Sequence, residues 1–312
     1  MVFVLAWASG FIAAKVAIID VSMWTLLLWR YLILAVPLLV VGLATGSLLR
    51  LKLADLRRLA TIGVFSQLGY VVFVYASVAV GISTGTTALI DAVQPLVVAT
   101  LVGPVLGLRV RGASWVGLAL GALGVALVVG SQMAASSAPP IAYALPVLAM
   151  LCLIAATLLD RRHPNDQPIL TTLTVHSVVV AAALAVVAFL TGNAVPPASP
   201  VFWASTLFTA AVPSLLAYGL YWWLIRRIGV TSLNALLFAV APVTAVAGAI
   251  VFGEVFSPFT AIGFVVSAIA IAVVLLAERR VLPARPSRSE RADGCHSPAI
   301  ARTTSTPATA RE

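Results

Sequence analysis

Three charged residues lie inside strongly apolar stretches of this sequence, and their side chains have the chemistry needed for solute binding or proton transfer. They are Lys15, Arg30 and Asp91. A charge at the centre of a bilayer costs about 2.5–3.5 kcal/mol on insertion scales, so such residues usually pair or line a watery cavity. Arginine keeps its charge and binds carboxylate or phosphate groups, whereas a buried aspartate can take up and release a proton. The three residues indicate either a structural charge cluster or a site for a charged solute.

The composition places these charges in a membrane. Of the 312 residues, 62% are hydrophobic and 9% are charged, and the mean hydropathy is +1.10. Soluble domains are about 45–50% apolar and 25% charged. A helical span needs about 20 mostly apolar residues, and the sequence contains many such stretches. The predicted fold class is an all-α integral membrane protein with ten transmembrane helices, at residues 1–19, 24–44, 59–79, 84–106, 113–130, 142–159, 171–190, 202–224, 231–252 and 258–277.

The basic residues fall on one side of this topology. With the N-terminus in the cytoplasm, the inner loops hold the basic groups at 50–58, 109–111, 161–162 and 226–227, and the outer loops hold none. Because retained cytoplasmic loops attract Lys and Arg, both termini are predicted to be cytoplasmic, in an inner membrane of the bacterial type. The same one-sided distribution explains the net charge of +9, so no nucleic-acid partner is expected.

Two long segments of the chain follow the same plan. Each is predicted to run as a helix, a tight glycine turn, a proline-interrupted helix, a second glycine turn and a helix. Five spans per half is an odd number, so the halves cross the membrane in opposite directions, as in secondary transporters with a site between two inverted repeats. The predicted units are five-helix repeats at 1–130 and 131–278 and a disordered cytoplasmic tail at 279–312. The matched pairs are Tyr70 with Tyr218, Gly81 with Gly229, Pro95 with Pro242, Gly107 with Gly253 and Gly117 with Gly263.

The sequence resembles the EamA-type branch of the drug/metabolite transporter superfamily over everything except the tail. The likeness rests on "LAWASGFIAAKVAI" at 5–18, on "LLLWRYLILAVPLL" at 26–39 and on "FGEVFS" at 252–257. The first repeat has "LGLRVR" at 106–111 where the family usually has Gly-Glu, so only Glu254 keeps that acidic position. The resemblance implies a ten-helix carrier of two inverted repeats that moves small metabolites, often amino acids or related compounds, and frequently outward.

The expected topology brings polar and aromatic side chains of both halves to a similar depth. Gln67 and Tyr70 share one face of the third helix, and Asp91 and Gln94 are three residues apart on the fourth. Trp7 is added because the resemblance implies a cavity-lining first helix. For each polar or aromatic residue, burial against a neighbouring helix is an equally good interpretation. The substrate-binding candidates are Trp7, Lys15, Arg30, Gln67, Tyr70, Asp91, Gln94, Tyr218, Trp222 and Asn234.

Two further features allow two interpretations each. His176 lies near the cytoplasmic end of the seventh span, where a structural role is favoured over a proton relay. Gly117 and Gly121, like Gly263 and Ser267, have the spacing that lets helices approach closely, within one chain or between two copies. A monomer and a homodimer are both compatible with this pattern.

Together these features predict a secondary transporter that moves a small anionic or zwitterionic metabolite, an amino acid or a related compound, by alternating access. Arg30 suits a substrate carboxylate, and Asp91 makes the proton the candidate coupling ion. The expected partners are this substrate, protons and the lipid bilayer, with no cofactor and no metal. The alternative is efflux of cationic lipophilic compounds with Asp91 as the binding carboxylate, which Lys15 and Arg30 disfavour because they repel a cation.

Two other functional classes are less well supported. A membrane enzyme is not indicated, because the sequence has no G-x-S-x-G, no H-E-x-x-H and no paired intramembrane aspartates. An ion channel more often has a repeated polar filter or a ring of like charges.

Overall fold

A computed structural model describes residues 1–18, 21–94, 96–98, 112–135, 138–162, 167–254 and 257–279. The regular elements in these ranges are all helices. The predicted tail beyond Arg279, Pro95 and the 106–111 loop lie outside the described residues.

The helices follow the apolar stretches of the sequence closely. The third one differs, since it begins at Leu53, ahead of the predicted span at 59, and its first turns expose Arg57. Its charged start is helical although it lies before the apolar run, because Leu, Arg and Ala are good helix formers. The elements are α1 (Val2–Ala17), α2 (Met23–Ala44), α3 (Leu53–Gly63), π1 (Val64–Gly69), α4 (Tyr70–Ala79), α5 (Thr84–Ala92), α6 (Gly112–Ala135), a short 3₁₀ turn (Pro140–Tyr143), α7 (Ala144–Arg162), α8 (Ile169–Leu190), α9 (Pro200–Thr209), π2 (Ala210–Ala217), α10 (Tyr218–Phe252) and α11 (Pro258–Arg279).

Local side chains set several of these boundaries. The hydroxyls of Ser22, Ser83 and Ser199 accept backbone N–H groups in the first turns of α2, α5 and α9, as N-caps do. Gly81, between α4 and α5, has φ +93°, a left-handed conformation that glycine adopts without a Cβ penalty. The predicted tight turn is therefore present at this position.

Five helical stretches among the described residues are long and apolar enough to cross a membrane, and four shorter apolar helices accompany them. A count of ten transmembrane helices stays a prediction. The long stretches are Met23–Ala44, Leu53–Ala79, Pro140–Asp160, Ile169–Leu190 and Pro200–Ile228, and the shorter ones are Val2–Ala17, Trp115–Ser131, Leu236–Phe252 and Pro258–Ala270.

The longest helix, α10, is not straight. The Tyr218 ring at its start lies 5.1 Å from the Trp7 ring of α1, and Glu254, just beyond its end, pairs with Lys15 of the same α1. Trp7 and Lys15 are only about 12 Å apart along α1. A straight helix of 35 residues would be about 52 Å long, too long to meet both points. The chain therefore reverses direction inside α10, and the turn predicted at Gly229 falls in this element.

A π-helix occurs at a corresponding place in each half. π1 ends directly before Tyr70, and π2 ends directly before Tyr218, the two tyrosines that the repeat matches. π-helical turns are rare and occur frequently at functional sites. This recurrence favours the predicted internal repeat.

The predicted small-residue stretches join α6 to α11 within the chain. A Cβ placed on Gly124 would lie 2.8 Å from the Gly263 carbonyl oxygen and 3.0 Å from the Ser267 nitrogen. Contacts this close need residues without side chains at the crossing point. Gly263 and Ser267 are therefore used for packing inside the fold.

Candidate functional site

A narrow cavity lies among the helices of the bundle. Helices α1, α2 and α4, the segment π2 and the start of α10 form its walls, so both halves of the chain contribute. Most of the lining is apolar or aromatic. The lining residues are Trp7, Gly10, Phe11, Arg30, Tyr70, Val71, Val74, Tyr75, Pro213 and Tyr218.

Arg30 is the charged residue of this cavity wall. Its Nε donates to the Ser214 hydroxyl at 2.6 Å, and its Nη1 donates to the Tyr75 hydroxyl at 2.7 Å. The guanidinium also lies 5.5 Å from the centre of the Tyr31 ring, within cation–π distance. The side chain is only 2% exposed, and no carboxylate among the described residues forms an ion pair with it. A buried positive charge therefore faces the cavity with neutral partners alone.

Asp91 lies at the end of a hydrogen-bond chain that begins on α1. The Trp7 indole N–H donates to the Tyr70 hydroxyl at 3.1 Å, and that hydroxyl donates to Asp91 Oδ2 at 2.9 Å. The second carboxylate oxygen, Oδ1, is buried and has no hydrogen-bond partner among the described residues. One acceptor of a buried carboxylate is thus available to a cation or a proton.

Aromatic rings surround Trp7 and connect the two halves. The Trp7 ring lies 5.1 Å from the ring of Tyr218, 5.4 Å from that of Tyr221 and 5.9 Å from that of Tyr70. The Tyr218 hydroxyl donates to the Ser66 carbonyl oxygen at 2.7 Å, which ties the start of α10 to π1. Tilted pairs at these distances add to the stability of the packing beyond the buried area.

Lys15 pairs with a carboxylate other than Asp91. Its ammonium lies 2.8 Å from Glu254 Oε1. The same carboxylate accepts the Thr84 backbone N–H at 3.0 Å and the Thr84 hydroxyl at 2.8 Å, and the Gly85 N–H lies 3.4 Å away. The first N–H groups of α5 lack partners within the helix and favour an anion, so Glu254 binds there and attracts the lysine.

Further contacts close the same end of the bundle. The Thr25 hydroxyl donates to the Asn193 carbonyl oxygen at 2.8 Å, and the Trp29 indole donates to the Ala194 carbonyl oxygen at 3.0 Å. These bonds tie the first turns of α2 to the connection between α8 and α9. Together with the Lys15–Glu254 pair, they join the two halves of the chain at this end.

The remaining candidates are distributed as follows. Gln67, Gln94 and Trp222 are all at least 99% buried, away from the lining of the central cavity. The Asn234 side chain lies outside the described part of the structure. Sequence reasoning missed Tyr75 and Ser214, the partners of Arg30, since no motif marks a single tyrosine or serine in an apolar helix.

Comparisons with known proteins agree with this architecture. Over 301 residues, the chain is 29% identical to a protein of Streptantibioticus cattleyicolor named as a probable terminal-alkyne amino-acid exporter, covering 92% of this chain and 94% of that protein. A solved crystal structure shares the fold with a TM-score of 0.64 at 20% sequence identity, covering 89% of this chain and 96% of the other. Residues 1–130 and 135–276 match the EamA-like transporter family. The chain is a multi-pass membrane protein that belongs to the EamA-like transporter family.

Proposed function

We propose that this protein is a secondary carrier that exports a zwitterionic amino acid across the inner membrane by alternating access between its two halves. The observation that carries the proposal is a pair of buried charges, Arg30 on the cavity wall and Asp91 bonded to the wall residue Tyr70. Arg30 and Asp91 have opposite signs, and neither forms an ion pair with a described residue. A solute with both a carboxylate and an ammonium group satisfies both.

Arg30 provides the carboxylate site. Ser214 and Tyr75 hold its Nε and Nη1, so the plane of the guanidinium is fixed. Arginine pairs with a carboxylate through charge-assisted hydrogen bonds that are roughly twice as strong as neutral ones. Because no carboxylate in the described part of the chain neutralises the group, the substrate supplies the missing negative charge.

Asp91 provides the site for the substrate ammonium group and couples substrate transport to proton movement. Its Oδ2 is occupied by the Tyr70 hydroxyl, so only Oδ1 is left for a ligand. A proton and a substrate ammonium compete for this one oxygen. Because of this competition, the carrier moves protons in one direction and substrate in the other. An inward proton gradient therefore drives the substrate outward.

The cavity wall beside Arg30 favours an apolar substrate side chain. Phe11, Val71, Val74 and Pro213 have no hydrogen-bonding side-chain atoms, and apolar lining with a few placed polar groups is usual in ligand sites. The relative named as an amino-acid exporter supports the same substrate class. Its name is also the support for an outward direction.

The test is transport by the purified protein in liposomes, offered an equimolar mixture of the twenty amino acids and measured by mass spectrometry. The best substrate is then compared with its decarboxylated amine and with its deaminated acid. The proposal expects saturable movement of the amino acid and at most a tenth of that rate for either analogue. Faster movement of the amine would overturn it in favour of cation efflux through Asp91, and unsaturable flux would indicate a channel.

A further inference from the structure

We infer that Gln67, His176 and Trp222 form a second binding site, the His176 cluster, which holds the substrate carboxylate before it reaches Arg30. The inference rests on the proposed function and extends it to a part of the molecule that the central cavity does not include. It also assigns a role to His176, whose position in the sequence favours a structural one.

Three helical segments that contact one another carry these side chains. His176 lies on α8, Gln67 on π1 and Trp222 on α10. The His176 and Trp222 rings meet edge to face with their centroids 5.7 Å apart. A Cβ placed on Gly63 would lie 3.0 Å from the His176 Cα, so α3 touches α8 one turn before Gln67, on the same helix face.

The polar atoms of this cluster have no hydrogen-bond partner in the part of the chain that the structure describes. Gln67 and His176 are fully buried and Trp222 is 1% exposed. The two amide atoms of Gln67, both ring nitrogens of His176 and Nε1 of Trp222 make no hydrogen bond with any described residue. Buried side-chain polar atoms are hydrogen-bonded in the large majority of cases, because each unsatisfied group is costly. Three residues on contacting segments that all break this rule indicate a site built for a ligand.

The chemistry of the cluster selects a carboxylate. The Trp222 indole is a donor only, the Gln67 amide carries two donor hydrogens, and a neutral imidazole carries one. A carboxylate is purely an acceptor, with two oxygens for such donors. Neutral donors hold it less strongly than the Arg30 guanidinium does, so the cluster can pass the carboxylate on.

The cluster lies away from the end of the bundle that the Lys15–Glu254 pair joins. Thr174, two residues before His176, approaches the Leu38 carbonyl oxygen at 3.5 Å. Leu38 is about 12 Å from Arg30 along α2, in the direction opposite to the Lys15–Glu254 pair. In the predicted topology this is the cytoplasmic side, from which an exporter takes its substrate.

Aromatic rings link the cluster to the central cavity. The Trp222 and Tyr221 ring centroids are 5.0 Å apart, those of Tyr221 and Trp7 are 5.4 Å apart, and Trp7 lines the cavity that holds Arg30. A substrate moving from one site to the other passes along continuous apolar faces. The substrate therefore binds first at the His176 cluster and then at the Arg30 site.

The test uses variants that remove the donors but keep the volume, Trp222→Phe, His176→Phe and Gln67→Leu. Transport of the twenty-amino-acid mixture is measured in inverted and in right-side-out membrane vesicles, which present opposite ends of the protein. We expect the half-saturation concentration of the best substrate to rise at least about fivefold per lost donor, in inverted vesicles only. Ser177→Ala is the matched control, because the Ser177 hydroxyl is bonded to the Leu173 carbonyl oxygen of its own helix.

Thermal unfolding in detergent separates the inference from a structural role. Removing unpartnered polar atoms should leave the unfolding temperature unchanged or raise it. Variants that are at least as stable as the wild type and have unchanged half-saturation in both vesicle types would overturn the inference. An equal rise in both vesicle types would assign the cluster to the Arg30 site. A wild type that moves no amino acid would instead refute the proposed function, and the inference with it.

Discussion

The Lys15 ammonium lies 2.8 Å from the Glu254 carboxylate, and this one carboxylate also binds the first backbone N–H groups of α5. The two residues are 239 positions apart in the sequence. The contact joins α1 and α5 of the first half to the end of α10 in the second. Any motion that opens this end of the bundle must break it.

Glu254 should matter more for stability than Lys15. Lys15→Met removes an ion pair whose lysine side chain is 35% exposed, and such pairs contribute at most about 1 kcal/mol. Glu254→Ala also removes the acceptor for the α5 N-terminus, and loss of a helix cap costs about 0.5–2 kcal/mol more. Denaturant unfolding in detergent measures both changes. An equal loss in the two variants would show that the helix contact contributes nothing.

Arg30→Ala should abolish transport while the amount of protein in the membrane stays the same. Arg30→Lys keeps the charge but not the planar donor set, and we expect at least about tenfold slower transport. Tyr75→Phe removes one partner that holds the guanidinium but leaves the group itself in place, so its loss of transport should be smaller. Transport assays paired with immunoblots of the membrane fraction test this. A parallel loss of abundance and transport would assign Arg30 a structural role.

Asp91→Asn should uncouple transport from the pH gradient. The amide does not ionise near neutral pH and so cannot carry a proton across, and flux should become independent of the gradient. Tyr70→Phe removes the hydrogen bond to Oδ2 but keeps the carboxylate, and its flux should still respond. Liposomes with imposed pH differences provide the measurement. Undiminished gradient dependence in Asp91→Asn would reject the coupling role.

Gly124→Ala should destabilise the fold, although alanine favours helices over glycine by about 1 kcal/mol. The added methyl group would press on the backbone of α11 at Gly263. Gly130→Ala, six residues further along α6, is the control, because nothing lies within 4 Å of its added Cβ. The control should match or exceed the wild type in unfolding temperature. Two variants of equal stability would mean that α6 and α11 separate without cost.

Local features of the fold could be predicted from the sequence. Hydrophobic runs long enough to span a bilayer indicated the all-helical membrane class. The left-handed Gly81 was recognisable because the chain must turn sharply between two spans. These features depend on residues close together in the sequence.

The pairing of side chains could not be predicted in the same way. Lys15 had Asp91 as a plausible partner by depth alone, but depth says nothing about which face of a helix meets which neighbour. Arg30 bonds Ser214, 184 residues away, and hydropathy does not mark that serine. The π-helical segments could not be predicted from the sequence either, because their hydropathy does not differ from that of an ordinary transmembrane helix. Such contacts depend on how whole helices dock.

The first helix has a consequence for motion that follows from its small side chains. The parts of α10 before and after its change of direction both pack on α1, as do π2, α9, α4 and α5. Five of the nine buried residues of α1 are alanines, and Gly10 touches Pro213 of π2. Interlocked helices resist sliding because ridges of large side chains fill grooves, and α1 presents low ridges on this surface. Where the second half of the molecule packs on these alanines and on Gly10, it meets a smooth surface. Small shear displacements there encounter little steric resistance.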